Sequence, residues 1–142
     1  MAHKGPIILI DDDQEDEELI REVLHQLGVK NTLIHFTDCT IAFDFLKNTS
    51  ENPFIIISDI NLPKQNGIEF KRQIDSDPEL RSKSIPFVFF STSTDKISVN
   101  TVYKEMTVQG FFKKTNSIGE LKTVIKTIID YWTLCKHPNS ER

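Results

Sequence analysis

Asp11 and Asp12 directly follow the apolar run Ile7–Ile10, and Asp59 and Asn61 follow the run Phe54–Ser58. Ser91 and Thr92 come after Ile85–Phe90, and Lys113 and Lys114 after Gly110–Phe112. Brought into one cleft, Asp11, Asp12 and Asp59 would repel one another, and exclusion from water would raise their pKa values. A hard divalent cation removes the conflict. Magnesium takes oxygen ligands, few of them carboxylates, keeps several waters and completes its octahedron with phosphate. With all three carboxylates ionised, such an ion and the Lys114 ammonium bring the local charge to neutrality. A carboxylate is also a covalent nucleophile toward phosphorus, forming an acyl phosphate. In-line phosphoryl transfer relies on positioning and charge neutralisation more than on acid–base catalysis, so no histidine is required. Asp59 has the best position for that role. It ends the segment Ile-Ile-Ile-Ser-Asp and precedes the loop Ile60–Gly67, where Pro63 and Gly67 suit a tight turn. Strand alternation sends Lys113 and Lys114 to opposite sides, and the spacing from Gly110 favours Lys114.

These residues converge only if the apolar runs are strands of one sheet. Five runs alternate with helical patterns: Ile7–Ile10, Thr32–Phe36, Phe54–Ser58, Ile85–Phe90 and Gly110–Phe112. The first, third and fourth are almost continuously apolar, as strands covered on both faces must be. Leu19, Ile20, Val23, Leu24 and Leu27 form a helical stripe closed by Gly28; Ile41, Ala42, Phe45 and Leu46 form a second behind Asp38 as N-cap. Phe70 and Ile74 mark a third helix that stops before Pro78, and Val99, Val102, Tyr103 and Met106 mark a fourth. The last stripe, Leu121, Val124, Ile125, Ile128, Ile129 and Trp132, starts from Ser117, with Glu120 completing a capping box. The alternation predicts an α/β fold of the (βα)5 kind: a doubly wound, five-stranded parallel sheet with helices on both faces. Ligands of such sheets bind beyond the carboxyl ends of the strands, where all the polar residues named above fall.

Length suits one domain over residues 1–133, followed by a polar tail, 134–142. A net charge of −4 supplies no basic footprint for nucleic acid. Acid is concentrated near the first helix, where Asp13 and the carboxylates from Glu15 to Glu18 suit the positive end of the helix dipole. Cys39 and Cys135 lack metal-ligand spacing and fit free thiols in a reducing compartment. Met1–Pro6 has no apolar signal region, and no run approaches the ~20 apolar residues of a membrane span, so a cytoplasmic location is expected. His3, His25, His35 and His137 share no motif and read as structural or surface residues.

The segments IILIDDDQEDEE, IIISDINLPKQNG, PFVFFSTS and GFFKKTNS, in that order, resemble response regulator receiver domains of two-component systems. They are similar to the first strand with its acidic pair, the phosphoacceptor strand and loop, the fourth strand, and the lysine strand. The resemblance spans Pro6 to Trp132 and is to standalone receivers like the chemotaxis response regulators. It implies a flavodoxin-like strand order, 2-1-3-4-5. It makes Asp59 the phosphoacceptor and a magnesium ligand, Asp12 the chief ligand with Asp11 in support, and Asn61 a ligand through its backbone carbonyl. Ser91 would hydrogen-bond one phosphoryl oxygen and Lys114 would pair with another, while Thr92 and Phe111 fall at switch positions. Two departures stand out. The family's lysine is usually followed by proline through a cis peptide. Here Thr115 follows, and a cis bond before a non-proline residue costs roughly 2.5–4 kcal/mol, so a trans bond is expected. Phe111 has no hydroxyl and would act by packing. The segment Asp77–Pro86 resembles that of standalone receivers associated with phytochrome-type kinases.

What the resemblance implies is a switch rather than a turnover enzyme. A sensor histidine kinase or phosphotransfer protein would supply the phosphoryl group. With no output domain expected, the face made by the Val99–Met106 helix, the fifth strand and the last helix would bind a downstream protein or a second copy of the chain. The alternative is a receiver-like docking module that works without phosphorylation. A haloacid-dehalogenase-like phosphohydrolase is disfavoured, because Asn61 stands where the general-acid aspartate of a D-x-D motif would be.

Overall fold

Residues 4–62, 64–92, 100, 104, 110–115 and 117–136 are described by a computed structural model. The stripe Val99, Val102, Tyr103 and Met106, expected as a helix, lies outside them.

Five strands form one parallel sheet: β1 (Ile7–Ile10), β2 (Leu33–Phe36), β3 (Ile55–Ser58), β4 (Phe87–Ser91) and β5 (Gly110–Lys113). Their order is β2-β1-β3-β4-β5, the order the resemblance implies. Strands β1, β3 and β4 are buried at every residue because both sides of the sheet are covered. Alternation divides their side chains between two apolar layers. Ile7, Leu9, Ile55, Ile57, Val88 and Phe90 pack against α1 (Gln14–Gln26) and α5 (Ile118–Leu134). On the other side Ile8, Ile10, Ile56, Phe87 and Phe89 meet α2 (Cys39–Asn48), α3 (Gly67–Ser76) and α4 (Pro78–Lys83). Each fully buried Ile or Phe contributes roughly 1.5–3 kcal/mol, so these layers hold the strands firmly in register. Ile10 is level with Ser58, and Ser91 with Lys113, which brings the residues just beyond them to a common edge.

Helix starts are also specified locally. Asp13, Asp38, Asn66, Asp77 and Ser117 each accept a backbone N–H from the first turn of the helix that follows. Such caps are worth about 1 kcal/mol apiece. Asp77 both closes α3 and opens α4, with Pro78 just inside, so the segment Asp77–Pro86 contains a short helix that sequence reading did not resolve. The capping box at Ser117 forms in one direction only. Ser117 Oγ accepts the Glu120 N–H at 3.4 Å, but the Glu120 carboxylate accepts the Thr115 hydroxyl at 2.7 Å instead of reaching back to Ser117. The Ser117 N–H goes to Thr115 Oγ1 at 3.2 Å, so the intervening hydroxyl bridges the two halves of the box. There is no cis peptide among the described residues, and the Lys114–Thr115 bond is trans. No helix among them is long and apolar enough to cross a membrane.

Candidate functional site

Asp59 lies just beyond β3, its N–H donating to the Ile10 carbonyl at 2.9 Å. Its Oδ1 accepts the Ile60 N–H at 2.7 Å and the Asn61 N–H at 3.3 Å, which fixes the carboxylate against its own loop. The chain then folds back closely. The Gly67 N–H donates to the Ile60 carbonyl at 2.8 Å, and a Cβ at Gly67 would stand 2.1 Å from the Asp59 carbonyl oxygen, so a residue without one is required. Lys64 adopts a left-handed φ of 68° in the same loop.

At the tip of β1, the Asp11 N–H donates to the Phe36 carbonyl at 3.0 Å, and Asp11 Oδ1 accepts the Asp13 N–H at 2.9 Å. This turn seats Asp13 as the cap of α1 and leaves Asp12 exposed beside the buried Asp11. Across the sheet, the Lys114 N–H donates to the Ser91 carbonyl at 2.9 Å. The Lys114 ammonium donates to Asp11 Oδ2 at 2.7 Å, Asp16 Oδ2 at 2.8 Å and Asp59 Oδ2 at 2.8 Å. Its side chain is only 8% exposed, while Lys113 is exposed. Carboxylate oxygens of Asp11, Asp12 and Asp59 all lie within 4.8 Å of one another.

Three carboxylates thus contact one ammonium and that of Asp12 joins the cluster, so negative charge is in surplus by three. Burial raises the Asp11 pKa above its ordinary value; the Lys114 and Asp13 hydrogen bonds oppose the rise and the Asp59 charge adds to it. For Lys114, burial pushes the pKa down, but the hydrogen bonds to Asp11, Asp16 and Asp59 override it and hold the ammonium well above its usual range. The donor set is all oxygen and carries surplus negative charge, which suits a hard divalent cation. With Asp16 included, such an ion leaves the cluster at −1 instead of neutral, and that remainder sits on a carboxylate 30% open to solvent.

The cluster therefore unites Asp11, Asp12, Asp59 and Lys114, with the Asn61 N–H on Asp59. Ser91 is fully buried at the end of β4, and Thr92 after it is exposed. Phe111 does not join the cluster. It is half-buried on the α2–α3–α4 side, its ring 6.0 Å from that of Phe89 and tilted by 42°.

Two neighbours went unrecognised as such. Asp16, read as a helix-start carboxylate, is also a Lys114 partner; it stands four residues before Ile20, in line with the buried stripe of α1, and that was the available signal. The other is His35, whose Nε2 lies 2.6 Å from the Asp11 carbonyl oxygen.

In comparison with known proteins, residues 7–126 match the response regulator receiver domain. The chain belongs to this family. Receiver domains are signalling modules, not turnover enzymes. The chain is similar to the response regulator Rcp1 of Synechocystis sp., 31% identical over 131 residues that cover 89% of this chain and 87% of that protein. The crystal structure of the phosphorylated cyanobacterial phytochrome response regulator RcpA superposes with a TM-score of 0.84 at 31% identity, covering 96% of this receiver and 99% of that chain. The Mn(2+)-bound form of Rcp1 gives a TM-score of 0.80 at 29% identity, with 94% and 97% covered.

Proposed function

We propose that this receiver domain accepts a phosphoryl group on Asp59 from a histidine kinase or phosphotransfer protein, in a magnesium-dependent reaction. The observation that carries the reading is the Lys114 ammonium shared by Asp59 and Asp11 at 2.8 and 2.7 Å, with the Asp12 carboxylate in the same cluster. Asp12, Asp59 and the Asn61 carbonyl, supported by Asp11, would hold the magnesium ion. When bound, that ion neutralises charge on the transferring phosphoryl oxygens.

In the transfer, a carboxylate oxygen of Asp59 forms the new bond to phosphorus. The bond from phosphorus to the donor's imidazole nitrogen breaks, and its electron pair returns to the imidazole. The Ile60 and Asn61 N–H groups hold the carboxylate in one orientation, so little rotational freedom is lost at reaction. Lys114 would move from carboxylate to phosphoryl oxygen, and Ser91 would hydrogen-bond another. Drawing Ser91 and Thr92 toward the new charge would let Phe111 repack, biasing the face that includes β5 and α5 toward a downstream protein or a second copy. The domain so defined covers 1–133, with α5 ending one residue beyond, and works in the cytoplasm.

Incubation with acetyl phosphate and magnesium should add one phosphoryl mass to the wild type, labile to alkali, and none to Asp59→Asn. Equal labelling of Asp59→Asn would overturn the assignment. Absence of labelling in the wild type would leave the phosphorylation-independent docking module.

A further inference from the structure

We infer that His35 is a positioning residue for the acidic pair, fixing the peptide plane between Asp11 and Asp12 and hence the placement of the Asp12 carboxylate. This rests on the proposed role of Asp12 in holding a divalent cation. His35 Nε2 lies 2.6 Å from the Asp11 carbonyl oxygen. A carbonyl only accepts, so Nε2 must carry the proton and donate. The carbonyl belongs to the peptide that joins Asp11 to Asp12.

The surroundings make this bond the decisive one. Every other polar group of Asp11 is already held: its N–H by the Phe36 carbonyl, Oδ1 by the Asp13 N–H, and Oδ2 by Lys114. Two consecutive residues of β2 thus grip the two ends of Asp11, Phe36 through its backbone and His35 through its ring. Strand register explains how the ring gets there, because His35 pairs with Leu9, two residues before Asp11 on the same side of β1. Asp12, in contrast, is exposed, and no hydrogen bond of its carboxylate is seen among the described residues. Among the described residues, only the backbone fixes its direction. Freeing the Asp11 carbonyl releases the peptide plane that aims Asp12. Groups that orient metal-binding side chains are typically worth 10–100-fold in metal affinity.

Glutamine and asparagine separate this role from simple packing. The amide nitrogen of glutamine lies as many bonds from the backbone as histidine Nε2, whereas that of asparagine is one bond short. Manganese binding should be titrated by electron paramagnetic resonance on wild type, His35→Gln, His35→Asn and His35→Leu, with urea unfolding of each measured without metal. The expected result is an affinity about 10-fold weaker in His35→Asn and His35→Leu, substantially restored in His35→Gln, with folded protein in all cases. Unchanged affinity in His35→Asn, with wild type binding normally, would overturn the inference and leave the metal site standing. If only His35→Gln and His35→Asn fold, their difference still decides. A wild type that binds no manganese would remove the proposed cation site, and this inference with it.

Discussion

Two lysines of this receiver are almost equally hidden from solvent and serve opposite purposes. The Lys71 side chain is 6% exposed and that of Lys114 is 8% exposed. Lys71 meets one carboxylate, Asp75 Oδ1 at 2.7 Å, one turn further along α3, and rests over the Phe87 ring at 5.2 Å. Lys114 meets three carboxylates, Asp11 and Asp16 near the start of the chain and Asp59 in its middle. Charge around Lys71 closes on itself within a single helix. Around Lys114 it does not close, because three carboxylates share one ammonium and Asp12 adds a fourth negative charge. Burial of a cation is therefore a poor guide to function, and the balance of its neighbours is a good one. A neutral pair asks for nothing, whereas a surplus of carboxylates held together by folding asks for a second cation.

The strongest test of that contrast removes Lys114. Lys114→Met leaves buried Asp11 and Asp59 without their common partner, and breaking a buried ionic cluster in this way costs about 3–5 kcal/mol. Urea unfolding in chelator should show a loss of that size. Magnesium should recover part of it, since a ligand that binds only the folded state stabilises it by mass action. A loss below about 1 kcal/mol in chelator would mean that the carboxylates do not depend on Lys114.

Removing surplus charge should act in the other direction. Asp12→Asn takes one carboxylate from an over-negative cluster, and among the described residues the Asp12 carboxylate has no hydrogen bond to lose. Metal-free protein is expected to gain about 0.5–1 kcal/mol, an increment usual for optimising charge at a functional site, while magnesium affinity falls at least about 10-fold. Calorimetric titration and urea unfolding on the same samples check both halves. Lower stability without metal would break the argument that the cluster is strained by like charge.

Strands β1 and β3 were readable in the sequence because burial on both faces demands unbroken apolar runs, and the residue after each run then had to lie at the ligand edge. Period-two alternation separated Lys113 from Lys114, and the spacing from Gly110 favoured Lys114. Asp16 was hidden by its company, one acid among many at a helix start, although its spacing to Ile20 placed it on the inward stripe. His35 was harder to see. Alternation over the four residues of β2 says only that it shares a side with Leu33, and its bond to Asp11 is a tertiary contact across 24 residues. Helix α4 has six residues with Leu80 its single buried one, too short to show a stripe, though Asp77 and Pro78 mark its start. Glu120 was assigned to the box by motif, and the nearer Thr115 hydroxyl won.

The smallest effect is expected at the lysine that resembles Lys114 most in burial. Lys71→Met keeps the length and apolar stem that cover Phe87 and removes only the ammonium. Asp75, left alone, is 30% exposed and can exchange its ion pair for water, so no buried charge is stranded. Breaking a buried pair is costly when the partner left behind stays buried and uncompensated; with Asp75 open to water, the expected change is within about 1 kcal/mol in either direction. The variant should also respond to magnesium as the wild type does, because the Lys71 partners Asp75 and Phe87 are not members of the carboxylate cluster. Urea unfolding in chelator and in magnesium reads both quantities. A loss approaching that of Lys114→Met, or a magnesium response different from wild type, would show that the two lysines are not separate in function, and the balance of neighbouring charge would no longer distinguish them.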